Sequence, residues 1–134
     1  MVDAIVAHAR RDHPDECCGI IAAKNGRPSR LFEMMNADRS PTGFEFDSGQ
    51  WLAVYREIDD ADEEFHVVYH SHTMTEAYPS RTDIRWSLTT PFAHWLLVST
   101  RSPEKVEIRA YTISEGVVSE EDLRVPRPDP GTSA

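Results

Sequence analysis

A single α/β domain, a mixed β-sheet flanked by helices, is the fold class this sequence predicts, and three observations predict it. Segments with apolar residues at helical spacing alternate with short runs rich in β-branched and aromatic residues along the whole chain. The 134 residues, 40% of them hydrophobic, suffice for one compact core but not comfortably for two. No apolar run approaches the roughly eighteen residues needed to span a bilayer.

Val2, Ile5, Val6 and Ala9 recur at helical spacing and Pro14 closes the segment, so residues 2–13 are expected to form an amphipathic helix. Cys18 to Ala23 is a nearly continuous apolar run. With Asn25-Gly26 as a two-residue turn and Leu31 to Met35 returning, it predicts a β-hairpin. Phe44 to Asp47 is expected to add a short strand. Ser48 is expected to cap a helix that buries Trp51, Leu52, Tyr55 and Ile58. The acidic run Asp59 to Glu64 reads as its solvated end.

Phe65 to Ser71 is the next strand, Ser80 opens a third helix, and His94 to Thr100 is a buried strand. Val106 to Ile113 pairs through a turn at Gly116 with Val117 and Val118. From Arg124 the chain has three prolines and no periodicity. The domain is therefore expected over 1–123, with a disordered Pro-rich tail over 124–134.

Charge and cysteine usage narrow the function. A net charge of -9, with the basic residues scattered, argues against nucleic acid as a partner. The only cysteines, Cys17 and Cys18, are adjacent and cannot readily form a disulfide, so they are expected to fill the core as small apolar groups. Without a signal peptide or membrane segment, the expected location is the cytoplasm, with no membrane partner.

The chemistry concentrates in Tyr69-His70-Ser71-His72. Residues two apart at a strand end share a face, so His70 and His72 can converge on one ion while Ser71 points away. Asp83, one turn into the helix that Ser80 opens, can swing back as a third ligand. Two nitrogens and one oxygen suit one Zn²⁺, and three protein ligands leave a fourth position for water, as catalytic sites do. A carboxylate is still needed to take a proton from that water and pass it on. Glu16, where a loop enters the Cys18 to Ala23 strand, is the candidate base. The hydroxyl of Ser80 can cap its helix and also stabilise an oxyanion.

Together, Glu16, His70-Ser71-His72, seven residues, Ser80, two residues and Asp83 resemble the signature of the JAMM or MPN+ metallopeptidases. More closely, Pro14 to Gly19, Tyr69 to Asp83 and Leu97 to Arg101 resemble the actinobacterial Mec branch of that family, and the resemblance runs from about Val2 to Val118. It implies an MPN/JAMM fold of the cytidine-deaminase-like type. It also implies zinc held by His70, His72 and Asp83, Glu16 as general acid/base, and Ser80 supporting the tetrahedral intermediate. The implied reaction releases cysteine from the C-terminal glycine of a small ubiquitin-like sulfur-carrier protein ending in Gly-Gly, a step of cysteine biosynthesis. A homodimer is compatible with this reading. Members of the family usually begin with a strand ahead of the first helix, whereas Met1 already stands at the helix start, so either an edge strand is missing before Met1 or this member tolerates a shorter sheet.

Blander readings stand beside these. Ser80-Arg81-Thr82-Asp83 is also a helix capping box that needs no metal. His66 shares strand parity with His70 but lies roughly 13 Å along the strand, too far for one ion. His8, His13 and His94 read as surface or packed side chains, and Trp51, Trp86 and Trp95 as packing residues, with Trp86 also placed to line a substrate channel. A nucleoside deaminase on the related fold would need His-x-Glu and Pro-Cys-x-x-Cys, which are absent. The alternatives that remain are a general isopeptidase of ubiquitin-like modifiers and a non-catalytic MPN scaffold. The loop 73–79, between two candidate ligands, is expected to border the cleft.

Overall fold

Helix and strand alternate as expected in the computed structural model, which describes residues 1–90, 92 and 94–122. The expected tail over 124–134 lies outside the described residues. In chain order the elements are α1 (Val2–Asp12), β1 (Cys18–Lys24), β2 (Arg27–Met34), α2 (Ser48–Asp60), β3 (Glu64–His72), α3 (Arg81–Ser87), β4 (His94–Ser99), β5 (Glu107–Ser114) and β6 (Val117–Glu121). The strands form one six-stranded sheet in the order β2-β1-β3-β4-β5-β6. Only β3 and β4 run parallel, and the chain between them carries α3 as the crossover such a pair requires.

The two faces of the sheet are covered differently. Ile5 and Ala9 of α1 pack with Cys17, Ile21, Val67, Tyr69, Leu96 and Val98 on one face. On the other, Val54 and Ile58 of α2 pack with Cys18, Ile20, Ala22 and Met34, and Trp86 of α3 packs beside Val68, Trp95 and Leu97. Strand alternation therefore turns Tyr69 and Ser71 toward α1, and His70 and His72 toward the α2 and α3 side.

Five local expectations are corrected. Phe44 to Asp47 is not a strand: Phe46 makes one isolated bridge to Asn36, and both phenylalanines are spent on aromatic packing around Trp51 and Trp86. The cap of α2 is Asp47, whose carboxylate accepts from Gln50 N–H, with Ser48 already inside the helix. Leu52 and Tyr55 are each 48% exposed, because α2 meets the sheet through Val54 and Ile58. The second hairpin strand starts at Arg27 rather than Leu31. Asn25 and Gly26 take the positive φ values (54° and 77°) of a tight turn, so pairing resumes at once from Lys24 opposite Arg27. Within the acidic run, Glu63 is not a free solvated charge: it accepts from Ser29 and from Arg30, whose Nε donates at 2.9 Å.

Gly19 allows Tyr69 to lie flat across β1. A Cβ at position 19 would stand 2.1 Å from two carbons of the Tyr69 ring. That ring is fully buried, and its hydroxyl meets His8 Nδ1 at 2.8 Å, tying α1 to the sheet. Gly19→Ala is therefore expected to force the tyrosine out of its slot at a cost near the upper end of core overpacking, about 3 kcal/mol, with a fall in Tm of roughly 10 °C. Thermal unfolding checks this, and a fall of less than about 2 °C would show that Tyr69 moves aside freely.

Candidate metal centre

Strand register brings the residues of the centre together. In the antiparallel β1/β3 pair Cys18 lies opposite His70, so Glu16, two residues earlier, arrives beside the C-terminal end of β3. The pairing is carried one step past β1, where Cys17 N–H donates to Ser71 Oγ at 2.7 Å and Ser71 N–H to Cys17 O at 3.0 Å. Ser71 thus points away from the centre, as its alternation demands. On the other side, α3 starts with Ser80 as N-cap and presents Asp83 from its first turn.

Four side chains converge. His70 Nε2 is 3.0 Å and His72 Nε2 3.7 Å from the Asp83 carboxylate, and His70 Nδ1 is 3.6 Å from Glu16 Oε1. Glu16, His70 and His72 also each offer a ligand atom within 4.8 Å of the others. All four residues are buried, with His70 only 1% exposed. The sequence-predicted set is thus assembled at one point, with a carboxylate on each side of the imidazole pair.

Hydrogen bonding shows what the site lacks. His72 Nδ1 lies 2.8 Å from Glu76 O and donates to it, which turns Nε2 toward Asp83. Neither ring nitrogen of His70 has an aligned hydrogen-bond partner, although both are buried. Burial alone would lower the basicity of this imidazole, but the charge of Asp83 outweighs it, and the pKa of His70 is pushed up to about 10. Burial would likewise raise the Asp83 carboxyl; the facing His70 holds it far below the usual range. A divalent cation would displace the His70 proton and take up a buried imidazole nitrogen that nothing else pairs, and the donor set of two nitrogens and carboxylate oxygen fits one.

Ser80 belongs to a complete capping box. Its Oγ accepts from Asp83 N–H at 3.1 Å while Asp83 Oδ2 accepts from Ser80 N–H at 2.8 Å. The capping role read from the sequence is therefore met, and it also aims the Asp83 carboxylate. Because Oγ is the acceptor, its own proton is left to donate elsewhere, and Ser80 lines the cleft.

That cleft, about 620 Å³, opens over the centre between the 38–46 loop and Thr73, Met74 and Thr75, with Trp86 on its wall. Of the 73–79 loop expected to border it, Thr73, Met74 and Thr75 do so, and Trp86 lines it. Two contributors escaped sequence reasoning. Phe44 stacks on the His70 ring, centroids 4.4 Å apart and planes 28° apart. Asn36 is a buried node between the same loop and Glu16. A lone Asn ahead of a polar loop signals a turn, and its i to i+2 bond from Asp38 N–H to Asn36 Oδ1 is one, but its long-range partners leave no local mark.

The remaining histidines and cysteines fall outside the centre. His8 is packed against Tyr69, and His66 pairs edge-on with His94, which meets Glu121 at 2.6 Å. Cys17 and Cys18 are fully buried and unpaired in the core, where burial pushes the Cys17 thiol up to about 12. No described helix is long and apolar enough to cross a membrane.

The chain resembles known proteins in both sequence and fold. The family described as prokaryotic homologs of the JAB domain matches residues 1–114. The chain is 56% identical over 127 residues to the CysO-cysteine peptidase of Mycobacterium tuberculosis, covering 93% of this chain and 86% of that protein. It is 30% identical over 100 residues to the Desampylase of Pyrococcus furiosus, covering 75% and 68%. Among solved structures, a protein from Desulfitobacterium hafniense superposes with a TM-score of 0.79 at 26% identity, covering 97% of this chain and 91% of that one. A JAB1/MPN domain protein from Archaeoglobus fulgidus, at 18% identity and a TM-score of 0.62 over 94% of both chains, shares the fold. With a family match across most of its length and a four-residue centre assembled at a strand end, the chain belongs to the prokaryotic homologs of the JAB domain and is a peptidase of that type.

Proposed function

We propose that the chain is a zinc-dependent peptidase that hydrolyses the bond between the C-terminal glycine of a ubiquitin-like sulfur-carrier protein and an attached cysteine. The reading places it in the cytoplasm. The observation that carries the chemistry is the convergence of His70, His72 and Asp83 with Glu16 beside them in one cleft. The choice of substrate rests on the 56% identity to a protein named CysO-cysteine peptidase.

His70 and His72 through their ring nitrogens, and Asp83 through its carboxylate, would hold the ion. When bound, zinc supplies Lewis acidity to the scissile carbonyl and lowers the pKa of a water toward about 7. Glu16 takes the proton of the attacking water and returns it to the leaving amine. Ser80 donates its hydroxyl proton to the oxygen on which negative charge develops. Phe44 and Trp86, as apolar walls, keep bulk water from the charged residues and so strengthen their interactions.

The same machinery would serve a general isopeptidase of ubiquitin-like modifiers, and one observation favours that second reading. Among the described residues, those lining the cleft include Glu16, Asp38, Glu45 and Asp83 but no lysine or arginine to face the free carboxylate of a leaving cysteine. Incubation with a carrier protein bearing a C-terminal cysteine, and separately with a lysine-linked conjugate of the same carrier, distinguishes the two by mass spectrometry. Loss of one cysteine residue from the carrier, stopped by a chelator, is the expected result. Cleavage of the lysine conjugate alone would establish the isopeptidase instead. No cleavage of either, together with metal well below one equivalent per chain, would leave a scaffold.

A further inference from the structure

Among the described residues, the side chain of the candidate base has no anchor beyond the His70 contact at 3.6 Å, which is longer than a hydrogen bond. Its backbone, in contrast, is held on both sides by one loop. Glu16 N–H donates to Ser40 O at 2.8 Å, and Glu16 O accepts from Asn36 Nδ2 at 3.0 Å. The second hydrogen of that amide goes to Gly43 O at 3.0 Å, while Asn36 Oδ1 accepts from Asp38 N–H at 3.0 Å and Glu45 N–H at 3.1 Å. Asn36 is 7% exposed, and all four hydrogen-bonding positions of its side chain are filled. The loop it organises closes on itself through Ala37 N–H to Glu45 O at 2.7 Å, and reaches the other cleft wall through Thr73 Oγ1 to Pro41 O at 2.8 Å. From it Phe44 reaches the His70 ring.

We propose that Asn36 is a positioning residue for the hydrolysis: its buried amide keys the 36–46 loop to the backbone of Glu16 and thereby fixes the base against the metal centre. The inference rests on the role proposed for Glu16. A fully satisfied amide in a buried site is costly to break, and an oxygen left without its donor loses more than the bond alone. No other residue type reproduces two donors and two acceptors at this length: Asp keeps the acceptors and loses both donors, and Ala loses all four.

The test is a double-mutant cycle on the metal-loaded enzyme with the carrier-cysteine conjugate. Asn36→Ala and Asn36→Asp are expected to lower kcat by about tenfold or more with KM little changed, since a small displacement of a catalytic group is enough for that. Zinc content is expected to stay at one equivalent. In a Glu16→Gln background the same Asn36 substitutions are expected to add less than about twofold, because residues that act as a unit are not additive. Amide hydrogen exchange provides a readout independent of turnover: Glu16 and Glu45 N–H should exchange faster in Asn36→Asp while the β1/β3 amides keep their protection. An equal fold-loss in both backgrounds, or unchanged kcat in both Asn36 variants, overturns the proposal. If Asn36→Ala does not fold, the cycle is run with the isosteric Asn36→Asp. If Glu16→Gln alone retains wild-type turnover, it is the Glu16 assignment that has failed.

Discussion

Glu16→Gln is expected to leave a folded, metal-loaded protein that turns over about a hundred to ten thousand times more slowly than the parent. The amide has the shape of the carboxylate but cannot accept and return a proton at neutral pH. The site tolerates the exchange structurally, because the backbone of Glu16 rather than its carboxylate carries the hydrogen bonds to Ser40 and Asn36. The measurement is kcat alongside zinc content per chain. Activity within tenfold of the parent would remove Glu16 from the chemistry. Loss of the metal would instead make Glu16 a ligand, an arrangement its position within 4.8 Å of the imidazole nitrogens makes worth separating.

Asp83→Ala is expected to abolish metal retention, because it removes the carboxylate that faces both Nε2 atoms and half of the capping box that aims it. The loss in affinity should exceed about a hundredfold, the upper range for residues that merely support a ligand, with about 1 kcal/mol of stability lost from the cap. The parent protein adds a pH signature. With its pKa raised to about 10 in the metal-free form, His70 is protonated at pH 7, so an incoming cation must displace that proton. Apparent affinity should therefore strengthen about tenfold per unit rise in pH from near 7 toward 10. Calorimetry at pH 7 in buffers of different ionisation enthalpy should count about one proton released from this imidazole. In metal-free protein the same raised pKa contributes stability that is fully present below the unfolded value of about 6.5 and is lost as pH rises through about 10. Metal uptake independent of pH would show that His70 gives up no proton to the cation. An Asp83→Ala protein that still holds a full equivalent would shift the third-ligand role to Glu16.

Much of this was legible in the sequence because the informative signals are local. The Asn25-Gly26 turn, the His70-Ser71-His72 alternation and the Ser80 to Asp83 cap each declare their geometry within a few residues, and the fold keeps all three. What was missed depends on contacts between distant segments. Phe44 and Phe46 have the composition of a strand, yet they are drawn off the sheet by the rings of Trp51 and Trp86. Leu52 and Tyr55 lie at helical spacing with Trp51 and Ile58, but spacing alone does not say how much of that stripe the sheet below can reach. Asn36 reads as an ordinary turn residue until its partner Glu16, 20 positions away, is placed beside it. Glu16 was singled out by its place where a loop enters β1 and by the family signature, and neither gives its distance from His70 until β1 pairs with β3.

The mutual bonds between Cys17 and Ser71 have a consequence for assembly of the protein. Sliding β3 by one residue against β1 would exchange the sheet's two sides, sending the imidazole of His70 under α1 and a hydroxyl into the cleft. The paired Cys17 N–H to Ser71 Oγ and Ser71 N–H to Cys17 O contacts are available in a single alignment only, so they act as a latch against such slippage. Catalytic competence is thus coupled to the closing of strands 54 residues apart: a folding intermediate that has its hairpin and helices but not this latch should be inert, and Ser71→Ala should loosen the alignment before it alters any group that touches the substrate.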